Sequence, residues 1–297
     1  MDRARERVRV VRPLGSTRRV LAGALRAGRR QAPMTGLLEL DVTTAEAWLR
    51  DHPDRPVSMT AFVTACVARA AQRHPEVHAY RTWAGRIAEH RYVDVAVLVE
   101  TATPRGPVGL PRLLVDADAR SVEELTAELR STRAQPAAGS AGRLLQRTAP
   151  VLARIPGATA ALYLAMARSP AARRHVGTVS VTAVGMFGGG GGFGIAPPTV
   201  MPLAVVVGGI AQRPRVVDGG VEPRWTLDLT VAIDHAVVDG APAARFCAEL
   251  RRLVETAGPL VAPEEDRTRS RTAGTRTTPE GPFAPDAREE SLRRWRM

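Results

Sequence analysis

The feature that most constrains the fold lies between residues 203 and 235, where two apolar runs face each other across a turn sequence. Leu203 to Ile210 and Arg215 to Val217 read as strands, Asp218-Gly219-Gly220 reverses the chain, and Arg224 to Asp234 reads as the returning strand. Leu227, Leu229, Val231, Ile233 and His235 alternate onto one face, so the histidine is expected to end the stripe that packs the core. Gly240 and Pro242 then start a helix with Ala243, Phe246, Cys247, Leu250 and Val254 inward, stopping at Gly258-Pro259.

Upstream, helical and strand signals alternate. Val20, Leu21, Ala24 and Leu25 mark a short amphipathic helix over residues 18 to 27. Leu37 to Val42 reads as a strand feeding a helix whose capping box is Thr43 with Glu46, and a second helix starts at Ser58 with Phe62, Cys66, Val67 and Ala70 inward. Val93 to Val99 is a buried strand, Pro104 to Pro107 turns the chain, and Ser121 with Glu124 caps a helix running to Ala134. After a small-residue stretch at 135 to 141, residues 144 to 166 read as a helical hairpin broken by Pro150 and Pro156. Thr178 to Val184 is the next strand, and the glycine run 188 to 192 reads as a mobile loop. The organisation expected is a basic arm at 1–12, one domain at 13–262 with a helical insertion at about 143–168, and a disordered tail at 263–297.

Composition removes whole classes of chemistry. The basic count of 42 in 297 residues is all arginine, and without lysine there is no Schiff base, no Walker A loop and no lipoyl or biotinyl attachment point on these residues. The net charge of +12 gathers at the N-terminus, where ten arginines precede residue 34, but neither interleaved aromatics nor a reading helix accompanies them, so nucleic acid is not expected as a partner. No apolar stretch of about 18 residues occurs, which gives no membrane span. Cys66 and Cys247 have neither disulfide nor ligand spacing, so no metal is expected and a reducing cytoplasm fits. His52, His74, His90 and His175 have bland settings, and His78 reads as a surface residue.

His235 differs. The words Asp234-His235-Ala236-Val237-Val238-Asp239-Gly240-Ala241 carry a histidine, an aspartate four residues later and a glycine opening a helix. They resemble the H-x-x-x-D-G signature of the coenzyme A-dependent acyltransferases, above all the catalytic domain of the dihydrolipoyl acyltransferases of 2-oxo acid dehydrogenase complexes, with chloramphenicol acetyltransferase in the wider superfamily. Further words resemble that family in order from 13 to 257: Pro13 to Arg19 with Gln31-Ala32-Pro33, Leu38 to Thr43, Val93 to Val97 with Thr103 to Gly106, Gly177 to Phe187, and Pro197-Pro198.

The resemblance implies an α/β sandwich, a mixed sheet with helices in the chloramphenicol acetyltransferase-like fold, assembled as trimers or larger multiples of three with active sites between neighbours. It implies His235 as general base toward a thiol, Thr182 as the hydroxyl that stabilises the oxyanion where relatives carry serine, Asp239 and Arg18 as a pair holding the histidine loop, and Gly240 as part of that loop's support. Coenzyme A is the implied substrate. A lipoyl group or carrier-protein thiol would arrive in trans, since the resemblance begins too early in the chain to leave room for the family's lipoyl and subunit-binding domains. Ala236 stands where arginine is common, and residues 143 to 168 have no counterpart, which suggests a segment that selects the acyl donor or docks a carrier. Transfer to a small alcohol or amine, and a weakly catalytic trimeric scaffold, remain as other readings.

Overall fold

The computed structural model describes residues 11, 13–101, 108–134, 155, 157–185 and 190–261. Six strands form one mixed sheet in the order β1-β8-β7-β6-β4-β5: β1 Pro33–Asp41, β4 Val95–Thr101, β5 Val108–Leu114, β6 Val179–Ala183, β7 Leu203–Val217 and β8 Gly220–Asp234. A two-stranded ribbon pairs β2 Tyr80–Arg81 with β3 Ile87–Ala88. Strand β6 runs parallel to both β4 and β7, and the other pairings in the main sheet are antiparallel.

The hairpin read from the sequence is present and longer than expected, because β7 is continuous from 203 to 217. Asp218 and Gly219 both have positive φ, 48° and 85°, the backbone of a tight turn whose twist matches that of the strands. One irregularity interrupts the ladder. Val207 pairs with Leu229 and Ile210 with Leu227, so Gly208 and Gly209 together oppose Asp228 in a β-bulge.

Alternation along the strands gives the sheet two different faces. Leu203, Val205, Val207, Leu227, Leu229, Val231, Ile233, Val179 and Val181 belong to the core beneath one face. Helix α3, Met59–Arg73, lies centrally in that layer with ten consecutive or near-consecutive residues buried, Cys66 among them. It packs against α4, Val122–Ala134, and α7, Gly240–Glu255. The opposite face carries Asp228, Thr230, Ala232 and Asp234 on β8, Val206 on β7 and Thr182 on β6.

Local signals hold where their geometry is complete. Ser58 Oγ accepts the Ala61 amide at 3.2 Å, and Ser121 with Glu124 forms a reciprocal capping box at 3.1 and 2.8 Å. Thr43 does not cap. Helix α2, Thr43–Asp51, has Val42 at its N-cap, and Thr43 Oγ1 instead accepts the Trp225 amide at 2.9 Å, tying the helix to β8. Strand β5 has no counterpart in the sequence reading because Pro111 lies inside it; as an edge strand it has no second neighbour that needs the missing N–H.

Helix α1, Ser16–Gly28, packs against α5, Ala158–Arg168, and a Cβ at Gly23 would collide with Thr159. Helix α6, Pro170–Val176, leads into β6, and a last helical turn, α8, spans Gly258–Val261. Helix α5 is the second half of the expected hairpin. Its first half, the arm at 1–10, the turn at 104–107, the stretch at 135–141 and the tail at 263–297 lie outside the described residues.

Candidate functional site

Strand β8 ends at Asp234, so His235 does not continue the core stripe as its alternation suggested: it opens an exposed turn. The physical reason is the local bonding of Asp234. Its carbonyl accepts the amides of Val237 and Val238 at 3.0 and 3.2 Å, and its Oδ1 accepts those of Ala236 at 3.2 Å and Ala32 at 3.4 Å. The His235 amide donates to Ala32 O at 2.9 Å, which fastens the turn to the entry of β1. Asp234 is thus the residue that shapes the turn, and its place directly before the histidine was the signal available in the sequence.

Among the described residues the imidazole is oriented by one bond, Nδ1 to the carbonyl of Val238 at 3.0 Å. A carbonyl oxygen only accepts, so Nδ1 carries a hydrogen, and in the neutral ring Nε2 is the nitrogen that holds the lone pair. The exposed side chain therefore presents a base nitrogen in a fixed tautomer.

Asp239 is the N-cap of α7, is exposed, and makes no side-chain capping bond. The structure does not join it to Arg18: among the described residues no ion pair links the two, and Arg18 is exposed. Helix α1 approaches the histidine turn by its other end, where Gly28 and Asp234 line one cleft with Gln31, Thr35 and Thr230. Ten residues of helix place Arg18 about 15 Å from Gly28. A Cβ at Gly240 would meet nothing within 4 Å, so no contact among the described residues demands glycine there.

Thr182 lies on the face of β6 turned away from the helical core, level with Val206 on β7, which is level with Thr230 on β8. His235 is five residues beyond Thr230, about 17 Å along the strand, and two strand spacings, about 10 Å, to the side. One chain does not bring the two side chains together.

The glycine run is not free over the residues described. Gly192 N donates to Asp228 Oδ2 at 2.6 Å and Gly192 O accepts the Gly209 amide at 2.9 Å; residues 188 and 189 lie outside the described set.

The remaining histidines do not converge on the site. His78 is fully buried rather than at the surface, its Nδ1 2.8 Å from Thr178 Oγ1, and burial pulls its pKa down to about 4. His90 stacks on Tyr80 and meets Tyr92 edge-on, and burial lowers its pKa as well. His52 stacks on Trp48. Among the described residues no group of three or more His, Cys, Asp or Glu is placed to hold a metal, and no helix is long and apolar enough to cross a membrane.

A mixed six-stranded sheet with helices on its core face and a histidine turn after its longest hairpin is the architecture of dihydrolipoamide acyltransferase cores. The dihydrolipoamide acetyltransferase of Azotobacter vinelandii, in which a serine, a histidine and an asparagine were investigated for their role in catalysis, aligns with a TM-score of 0.64 at 19% identity, covering 88% of this chain and 98% of that one. Residues 7–143 and 170–262 match the family of 2-oxoacid dehydrogenases acyltransferase (catalytic domain), and the chain belongs to that family; residues 144–169 fall outside the match. Curated relatives include the mitochondrial dihydrolipoyllysine-residue succinyltransferase component of the 2-oxoglutarate dehydrogenase complex of Bos taurus, 27% identical over 75% of this chain and 42% of that protein. The lipoamide acyltransferase component of the branched-chain alpha-keto acid dehydrogenase complex of Pseudomonas putida is 26% identical over 82% of this chain and 51% of its own length. The chain spans about half the length of these relatives.

Proposed function

We propose that the protein is an acyltransferase that moves an acyl group between coenzyme A and a thiol acceptor, a dihydrolipoyl group or carrier-protein thiol supplied by another chain. The observation that carries this reading is the fixed tautomer of His235, with Nδ1 tied to the Val238 carbonyl at 3.0 Å and Nε2 left open. A free thiol near pKa 8.5 is only a few per cent ionised at neutral pH, so a base positioned at the sulfur contributes roughly 10²- to 10⁴-fold. Nε2 takes the thiol proton as sulfur attacks the thioester carbonyl. The tetrahedral intermediate holds its negative charge on oxygen, where the Thr182 hydroxyl donates a hydrogen bond worth about 3 kcal/mol. Collapse expels the second thiolate, which recovers the proton from the imidazolium.

The separation of His235 and Thr182 within one chain supports a site shared between copies, with the hydroxyl of one subunit facing the histidine of the next, and hence a trimer or a multiple of three. The absence of lysine from these residues supports delivery of the lipoyl group in trans. Cys66 and Cys247 are both free thiols, in keeping with a cytoplasmic location.

The test is a transfer assay with short acyl-coenzyme A donors and three acceptors, dihydrolipoamide, a lipoyl domain and a carrier-protein thiol, run beside light scattering on the same sample. Transfer to at least one acceptor by a trimer or a multiple of three is expected. Full activity in a monomer overturns the shared site, and no transfer to any of the three overturns the reaction.

A further inference from the structure

The sheet face that carries Thr182 also carries, two strands away on β8, a charged latch that the acyl-transfer reading does not use. Asp228 is completely buried on β8, opposite the Gly208-Gly209 bulge of β7. Its two carboxylate oxygens receive the fork of Arg213, Nη1 to Oδ1 at 2.7 Å and Nη2 to Oδ2 at 2.6 Å, and Oδ2 also accepts the Gly192 amide at 2.6 Å. Arg213 is held in turn by Glu39 of β1 at 3.0 Å.

The bulge and the loop fit only because both are glycine. A Cβ at Gly209 would collide with the carbonyl of Gly190, one at Gly208 with the carbonyl of Gly192, and one at Gly185 with the carbonyl of Gly208. The chain then crosses at Gly194, where a Cβ would press on Val206 and Val184. Val206 is the direct neighbour of Thr182 across β6 and β7. The segment 190–194 thus roofs that face one strand away from the hydroxyl, pinned by the buried Asp228 carboxylate with its half-exposed Arg213 partner and by the Gly209–Gly192 backbone bond. An uncompensated carboxylate in that place would be strongly unfavourable, so Arg213 and the Gly192 amide act together with it as one unit.

We infer that Asp228 and Arg213 are positioning residues for Thr182: the latch fixes the 190–194 roof, and the roof fixes the geometry at which the hydroxyl meets the developing oxyanion. This rests on the acyl-transfer reading above. Hydrogen exchange of the 190–194 segment in Asp228→Asn, and in Arg213→Lys as a milder variant that keeps the charge but loses the fork, tests the latch without any assay of turnover. Faster exchange confined to that segment is expected in both, and unchanged exchange overturns the latch.

Turnover then tests the positioning. In each variant kcat falls by about 10- to 100-fold with KM within a few fold of the parent. In a Thr182→Ala background the same latch substitution causes no further fall, because its effect runs through the hydroxyl. Losses that multiply in the double variant overturn the positioning role, as does a loosened roof with kcat unmoved. A parent chain that transfers to no acceptor, with exchange at 190–194 still responding, overturns the acyl-transfer reading and the positioning role while the latch stands.

Discussion

Nδ1 of His78 lies 2.8 Å from Thr178 Oγ1 with both residues closed to solvent, while its Nε2 has no hydrogen-bond partner among the described residues. The ring is therefore stable only as the neutral form. Burial lowers its pKa to about 4 from 6.5, so the unfolded chain takes up a proton below pH 6.5 that the folded chain refuses. Stability is fully present above pH 6.5 and is lost as pH falls toward 4, by up to about 3 kcal/mol. The lowered pKa of His90 acts in the same direction. Urea midpoints between pH 8 and 4 should fall with acidity, and His78→Leu should flatten the slope; an unchanged slope in that variant counts against this origin.

His235→Ala should remove nearly all transfer and leave the oligomer intact, since the ring is exposed and adds little packing. Activity within a few fold of the parent would dismiss the base.

Thr182→Ala should lower kcat by about 10²- to 10³-fold with a smaller effect on KM, as expected of a donor used mainly in the transition state. Thr182→Ser should be mild. Equal losses in the two variants would identify packing rather than the hydroxyl as the cause.

Asp234 shapes the histidine turn through an acceptor oxygen, which asparagine retains and alanine lacks. Asp234→Ala should cost about tenfold or more in kcat, and Asp234→Asn much less. Steady-state kinetics of the pair decide it, because a role for the negative charge itself would make the two variants equally poor.

Arg173 is buried without an ion pair among the described residues; its guanidinium donates to the carbonyls of Ala167, Gly177 and Val200 and stacks over Tyr80. These bonds join the end of α5 to the entries of β6 and β7. Arg173→Met should cost at least about 3 kcal/mol by denaturant midpoint, because it leaves the buried Gly177 carbonyl and the half-buried carbonyls of Ala167 and Val200 without their donor. A loss under about 1 kcal/mol would mean that water replaces the guanidinium.

Much of this architecture is legible in the sequence because period-two alternation and turn residues are local signals. The β7–β8 hairpin, the Ser58 cap and the Ser121-Glu124 box all follow from residues within a few positions of one another. Strand β5 is hidden by Pro111, which only its edge position tolerates, and the Thr43 cap is lost to a bond from Trp225, a residue 182 positions away. The same limit applies to the site. His235 and Thr182 stand out by the words around them, whereas the closed surroundings of His78 and the Asp228 latch depend on contacts between distant segments.

The gap between Thr182 and His235 within one chain has a genetic consequence. If each site takes its hydroxyl from one copy and its imidazole from the next, two inactive variants are not equivalent failures. Chains lacking the histidine still offer the hydroxyl, and chains lacking the hydroxyl still offer the histidine. Co-assembled from unfolded mixtures, the two populations would regenerate intact pairs at some junctions, and activity would reappear from partners that have none alone.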